Sequence, residues 1–209
     1  GRICDNSENN TGGYAIHSTN TAKVGFVQKF SAGSPPQGLW QVDATNDVWH
    51  HLVVTYNADS VGNDPIMYID GVSKTVTELQ TPSGTRLSNT GYDLFFGDRA
   101  AGGRTWDGYI SGVRLYSDIL PPAEVIEHFN GVFTDEANLV GRWPLNEGSG
   151  AAVADASGNG NGGTLTAPAA WTSNLIETIA YQADTMFRYL TSSRKTFRYW
   201  RILIEGDSG

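Results

Sequence analysis

Residues 105–120 read Thr-Trp-Asp-Gly-Tyr-Ile-Ser-Gly-Val-Arg-Leu-Tyr-Ser-Asp-Ile-Leu, and no other stretch constrains the chain as tightly. Trp106, Gly108 and Ile110 alternate as one face of a β-strand. The apolar pattern then skips a position and resumes at Val113 and Leu115. A three-residue jump in a period-two pattern predicts a β-bulge, with Gly112 as the residue that tolerates it. Directly afterwards, Leu120-Pro121-Pro122-Ala123-Glu124-Val125-Ile126-Glu127-His128-Phe129 predicts a short helix near 121–129, with Pro in its first turn and Glu124 near its start.

The rest of the chain supplies further short strands separated by turn residues. Tyr14-Ala15-Ile16-His17 and Lys23-Val24-Gly25-Phe26-Val27 flank a polar tetrad at 18–21. Residues 31–37 read as a loop, and Trp40-Gln41-Val42 as a short strand before a turn at 43–47. Residues 49–56 carry apolar side chains on both faces, with Val53 and Val54 adjacent, which predicts a central strand covered on both sides. Asp70-Gly71, between 66–69 and 72–76, predicts a type I′ hairpin. Residues 81–91 and 98–104 read as loops around a strand at 94–97. With 25 Gly, 17% charged and 11% aromatic residues, this is the composition of an all-β, turn-rich protein.

Three of these landmarks carry a resemblance. The run Trp49-His50-His51-Leu52-Val53-Val54-Thr55-Tyr56, then Tyr68-Ile69-Asp70-Gly71, then residues 106–120 with the following helix resemble, in that order, the closing half of laminin-G-like, concanavalin-A-like jelly rolls. The resemblance covers 1–132 and implies a jelly-roll β-sandwich of two antiparallel sheets. It also implies that Gly1 opens in mid-domain, so the chain reads as a fragment or processed product. Residues 139–171, with Trp143-Pro144-Leu145-Asn146-Glu147-Gly148 and Asp155-Ala156-Ser157-Gly158-Asn159-Gly160, resemble the opening strands of the same family. The segment 133–175 therefore either closes the first sandwich as a permuted half or begins a second copy. Closure is favoured, because it covers sheet edges and core side chains that would otherwise be bare. Residues 176–209 hold five cationic residues against four acids and depart from the family. Residues 197–204 alternate as an extra C-terminal β segment, with Arg198, Trp200, Ile202 and Ile204 on one face, and resemble strands of discoidin-like sandwiches.

The chemistry-bearing residues are sparse. Cys4 is alone, so no intrachain disulfide forms, and it reads as a small apolar residue. His50 and His51 are adjacent in a strand and point to opposite faces, which excludes a shared metal ion in regular geometry. Asn9-Asn10-Thr11 fits a glycosylation acceptor. The resemblance implies a structural Ca2+, for which Asp155, Asn159 and Asn161 supply oxygen-rich loop residues and Asp107 a second carboxylate; the same residues also read as plain turns. Saccharide-binding modules stack exposed aromatics on sugar rings and hydrogen-bond hydroxyls with polar side chains. Trp40, Tyr92, Arg99 and Arg104 are the candidates by that criterion, with core packing the competing reading for Trp40.

No Glu-x-Asp-x-x-Glu strand, nucleophile elbow or His-Glu-x-x-His string occurs, so the chain reads as non-catalytic. A net charge of −8 argues against broad electrostatic nucleic-acid binding. No apolar run approaches the roughly 20 residues of a membrane span. The expectation is a structural or surface-binding module of a larger extracellular or virion protein, with glycan or surface-protein partners and an oligomeric assembly. The strings at 96–101 and 105–110 resemble jelly rolls embedded in phage structural proteins, which points to a tail, fibre or capsid-decoration component. The alternatives are a carbohydrate-binding accessory module of a secreted glycoside hydrolase or sialidase, and a laminin-G-type adhesion domain.

Overall fold

Period-two alternation carries the first sheet. Along β3 (Lys23–Ala32), Val24, Phe26 and Phe30 turn into the core, and along β4 (Gln37–Asp43) Trp40 and Val42 meet them, with Phe26 opposite Trp40 and Val24 opposite Val42. The computed structural model describes residues 1–7, 11–19, 22–46, 49–171 and, for their backbone, 200–205. The sheet is completed by β1 (Arg2–Asp5), β2 (Tyr14–Ser18), β8 (Thr77–Gln80), β9 (Ser83–Arg86) and β10 (Phe95–Phe96). Its order is β10-β1-β2-β3-β4-β8, with β9 pairing β3.

The second sheet contains β5 (His50–Thr55), β6 (Ile66–Ile69), β7 (Val72–Lys74), β11 (Val113–Tyr116), β12 (Leu139–Trp143) and β15 (Trp200–Glu205), in the order β12-β11-β15-β5-β6-β7. Its ladders are antiparallel except at β15, which runs parallel to both β11 and β5. A hairpin of β13 (Ala152–Val153) and β14 (Gly163–Thr164) stands apart. The two sheets pack face to face on Ile3, Ile16, Phe26, Trp40, Leu52, Val54, Met67 and Trp143, all buried.

All six residues of β5 are buried, as the two-sided apolar pattern requires. Leu52 and Val54 face the inter-sheet core, whereas Val53 joins Tyr68, Tyr116, Leu120 and Val125 in a second cluster. Helix α1 (Pro122–Phe129) supplies Val125 to that cluster and ends in a Schellman turn. There the Gly131 N–H donates to His128 O, the Val132 N–H donates to Glu127 O, and Gly131 takes φ +78°. The Asp70-Gly71 turn has φ of 55° and 77°, the two positive values that a type I′ hairpin needs.

Three local expectations are corrected. Residues 106–112 form no strand: the Trp106 indole folds back over Gly108, and the ladder begins only at Val113. Gly112 takes φ +63° ahead of the strand, and the irregularity of the β11–β12 ladder falls instead between Leu115 and Tyr116, so the expected bulge at Gly112 is corrected as well. Within 81–91, expected to be a loop, β9 pairs with the far end of β3, where Ser31 Oγ accepts the Thr85 N–H at 2.9 Å. The glycosylation string at 9–10, the turn residue Asp47 and the start of the C-terminal strand at 197–199 lie outside the described residues, as does the side-chain face of 200–205.

β12 pairs antiparallel with β11, and Trp143 is buried against Phe96 at 5.2 Å between ring centroids. The Trp171 indole N–H donates to Gly150 O at 2.7 Å.

Candidate functional site

β1 and β10 lie side by side at one edge of the seven-stranded sheet. The chain leaving β10 then loops through 97–105 and returns across the start of β1. Gly97 N–H donates to Ile3 O at 3.0 Å, Arg2 N–H to Arg104 O at 2.7 Å, and Trp106 N–H to Gly97 O at 2.7 Å. Asp98 organises this loop from within. Its Oδ1 accepts the N–H groups of Arg99 and Arg104, both at 2.9 Å, and its Oδ2 accepts the Thr105 hydroxyl at 3.0 Å. Desolvation acts to raise the Asp98 carboxyl, but these bonds outweigh it and hold the group below the usual carboxylate range. Arg99 Nε donates to Gly102 O at 2.9 Å, which fixes the stem of that side chain against its own loop.

Asn6, buried at the end of β1, fixes the segment that precedes β10. Its Nδ2 donates to Tyr92 O at 2.9 Å and to Asp93 O at 3.3 Å. The half-buried Tyr92 donates its hydroxyl to Thr11 Oγ1 at 3.0 Å. Ser7, Gly91, Tyr92, Asp93, Phe95 and Ala100 then line a cavity of about 190 Å³. Two aromatic rings, two hydroxyls and one carboxylate are what a small polar ligand with an apolar face would meet there. Asp93 supplies the carboxylate of this lining.

The four ligand candidates divide. Tyr92 lines the cavity, Arg99 adjoins its Ala100 wall, and Arg104 lies exposed at the far end of the same loop. Trp40 is corrected to a core residue. It is 0% exposed, its Nε1 donates to Asp64 Oδ1 at 2.7 Å, and its ring packs against Phe26 and Tyr56 at 6.0 and 5.3 Å. No face of that indole is left for a sugar.

Three of the metal candidates do come together, on the backbone of β12. Asp155 Oδ1 accepts the N–H groups of Arg142 at 3.0 Å and Ser157 at 2.8 Å, and Oδ2 accepts that of Asn161 at 2.8 Å. Desolvation is outweighed by these bonds, and the carboxyl is held far below its ordinary value. Asn159 and Asn161 spend their amide groups donating to Leu139 O and Val140 O, and Asn161 O accepts the Trp143 indole N–H at 2.7 Å. Asp107 sits in the separate 106–112 segment before β11. Among the described residues no group of three His, Cys, Asp or Glu side chains is placed to hold a metal ion, so the calcium expectation finds no support in this geometry.

His50 and His51 point to opposite faces. His51 packs on Phe129 of α1 at 5.9 Å, while His50 Nδ1 meets Asp70 Oδ2 at 2.7 Å and its Nε2 meets Thr45 Oγ1 at 2.9 Å. Asp70 Oδ1 also accepts the His51 N–H at 2.8 Å, so the turn aspartate ties its hairpin to β5. Burial tends to raise Asp70, and the bonds from His50 and His51 overcome it, leaving the carboxyl below the usual range. Cys4 is 0% exposed and its thiol is pushed well up by burial, the opposite of a reactive thiolate. Sequence reading missed Asn6, which bonds backbone 86 and 87 residues away, Ser7, which joins the cavity wall beside residues 91–95, and Asp98, which binds N–H groups of its own loop. Only the Asp98 position ahead of a glycine-bearing loop gave a local signal.

No curated protein and no solved structure matches the chain significantly. Residues 1–126 match the family described as the concanavalin A-like lectin/glucanases superfamily. With that match spanning more than half of the chain, and with two packed sheets and one short helix built as described, this protein belongs to the concanavalin A-like lectin/glucanase superfamily.

Proposed function

We propose that the chain is a non-catalytic carbohydrate-binding module that takes a saccharide at the mouth between residues 91–93 and 98–104. The observation that carries this reading is the cavity itself, in which Tyr92 and Phe95 offer apolar ring surface beside Ser7 and Asp93. Pyranose rings present apolar C–H faces and a polar rim, which that combination complements. A glycan array on the purified chain tests it. At least one saccharide should bind, and Tyr92→Ala should weaken that binding about tenfold, the equivalent of ~1.4 kcal/mol. Binding that is unaffected by Tyr92→Ala would remove the site, and a blank array would remove the function.

The setting we infer is a larger extracellular or virion protein, with a phage tail, fibre or capsid-decoration component ahead of an accessory module on a secreted glycoside hydrolase or sialidase. The resemblance of residues 96–101 and 105–110 to jelly rolls of phage structural proteins supports the first. Electron microscopy of the native source material separates them, since a symmetric particle carrying many copies fits a virion component and a single copy on a larger polypeptide fits an accessory module.

A further inference from the structure

Cationic side chains gather on the outer face of the seven-stranded sheet, beside the cavity mouth. Arg2 sits opposite His17 in the β1–β2 ladder, and the His17 imidazole lies over Gly25, where a Cβ would come within 2.6 Å of the ring. Lys29 follows on the same face of β3, its Nζ donating to Gln37 Oε1 at 2.7 Å. The backbone bond of 2.7 Å between Arg2 and Arg104 brings the 98–105 loop, and with it Arg99, alongside them.

Counter-charge near this face comes from few groups: the adjoining loop and mouth hold Asp98, whose oxygens accept the Arg99 and Arg104 N–H groups and the Thr105 hydroxyl, and Asp93. Asp5 is the only acid in β1, β2 and β3, and it is already spent: Arg2 Nε lies 3.0 Å from its Oδ2, and Ser7 donates its N–H and hydroxyl to Oδ1. Among the described residues neither Arg99 nor Arg104 has a carboxylate within ion-pairing distance. Burial and the nearby Arg104 and Arg99 charges lower the basicity of Arg2 despite the opposing pull of Asp5, so the positive field is felt across the cluster. In a chain of net charge −8, a local excess of this kind is a specific placement rather than a general property of the surface.

We propose that the saccharide taken at the Tyr92 mouth is an acidic one, its carboxylate or sulfate groups held by the guanidinium groups of Arg99 and Arg104. This rests on the saccharide-binding reading above. Planar guanidinium forks match carboxylate and sulfate oxygens two at a time, which a neutral hydroxyl cannot exploit. Arg2, anchored to Asp5, contributes field from behind rather than direct contact.

The test measures calorimetric affinity for three oligomers of equal length: a uronic acid, a sulfated hexose and the neutral hexose. The acidic oligomers should bind at least tenfold more tightly than the neutral one, and their advantage should shrink as salt rises from 50 to about 300 mM. Arg99→Gln with Arg104→Gln should bring the ratio of acidic to neutral affinity down to about one, whatever the change in neutral affinity itself. Arg104→Gln alone, at an exposed side chain, carries the test if the double variant fails to fold. Equal affinity for acidic and neutral oligomers, or an acidic preference that survives both substitutions, overturns the proposal and leaves the saccharide reading standing. Failure of all three oligomers to bind overturns the saccharide reading itself. Inorganic polyphosphate binding as tightly as the uronate oligomer would overturn the choice of a saccharide as the ligand.

Discussion

His17 makes the fold sensitive to mild acid, in a way that a single substitution isolates. Burial and the Arg2 and Arg104 charges lower its imidazole from the usual 6.5 to about 4, against a smaller opposing contribution from its bond with Ser18 backbone. The unfolded chain therefore takes up this proton before the folded one does. Stability is unaffected above 6.5, falls as pH drops from 6.5 towards 4, and loses no more from this group below that. The full gap is worth about 3 kcal/mol, and about 2 kcal/mol of it is realised at pH 5. Urea denaturation of the native chain and of His17→Gln at pH 7, 6 and 5 reads this directly. The native chain should lose about 2 kcal/mol more than the variant between pH 7 and 5, with the other three histidines common to both. Parallel pH dependences of the two proteins would refute the reasoning, as would a His17 ring resonance titrating near 6.5.

Further outcomes follow from single contacts. Trp40→Ala should destabilise by about 3–5 kcal/mol in denaturant titration, because it empties a fully buried site and strips Asp64 of its indole donor. Gly71→Ala should cost about 1–2 kcal/mol, since φ is +77° and the new Cβ would stand 3.2 Å from the Phe129 ring; Val72→Ala, on an exposed edge strand, should change stability by less than about 0.5 kcal/mol. Asp155→Ala should lower Tm by several degrees and unpin 155–161 from β12, seen as faster amide exchange at Ser157 and Asn161. Chelation should leave Tm of the native chain unchanged, because both Asp155 oxygens already accept N–H groups; a Tm that falls with chelator and returns with calcium would contradict that assignment.

The fold was legible wherever a residue's neighbours along the chain decide its conformation. Asp70-Gly71 gave its hairpin because only two positive φ values close so tight a turn, and residues 49–56 gave a two-faced strand because Val53 and Val54 are adjacent and both apolar. Pro121, Pro122 and Glu124 marked the start of α1 for the same local reason. Residues 106–112 misled because Trp106, Gly108 and Ile110 mimic alternation while the indole in fact folds over Gly108, a choice set by packing rather than period. Trp40 could not be placed from sequence, since a tryptophan in a strand looks the same whether its ring meets Phe26 and Tyr56 or solvent. The site was legible only as loop residues: Tyr92 and Arg99 were visible, but Asn6 and Ser7 join them through contacts that no local pattern encodes.

The central claim is that a saccharide binds at the 91–104 mouth without being cleaved. Amide chemical-shift mapping during titration with the tightest-binding oligosaccharide tests it most directly. The account predicts shifts concentrated at Ser7, at residues 91–95 and at 99–104, with the oligosaccharide recovered intact. Shifts confined to the six-stranded sheet or α1, or a sugar recovered in shorter pieces, would contradict it.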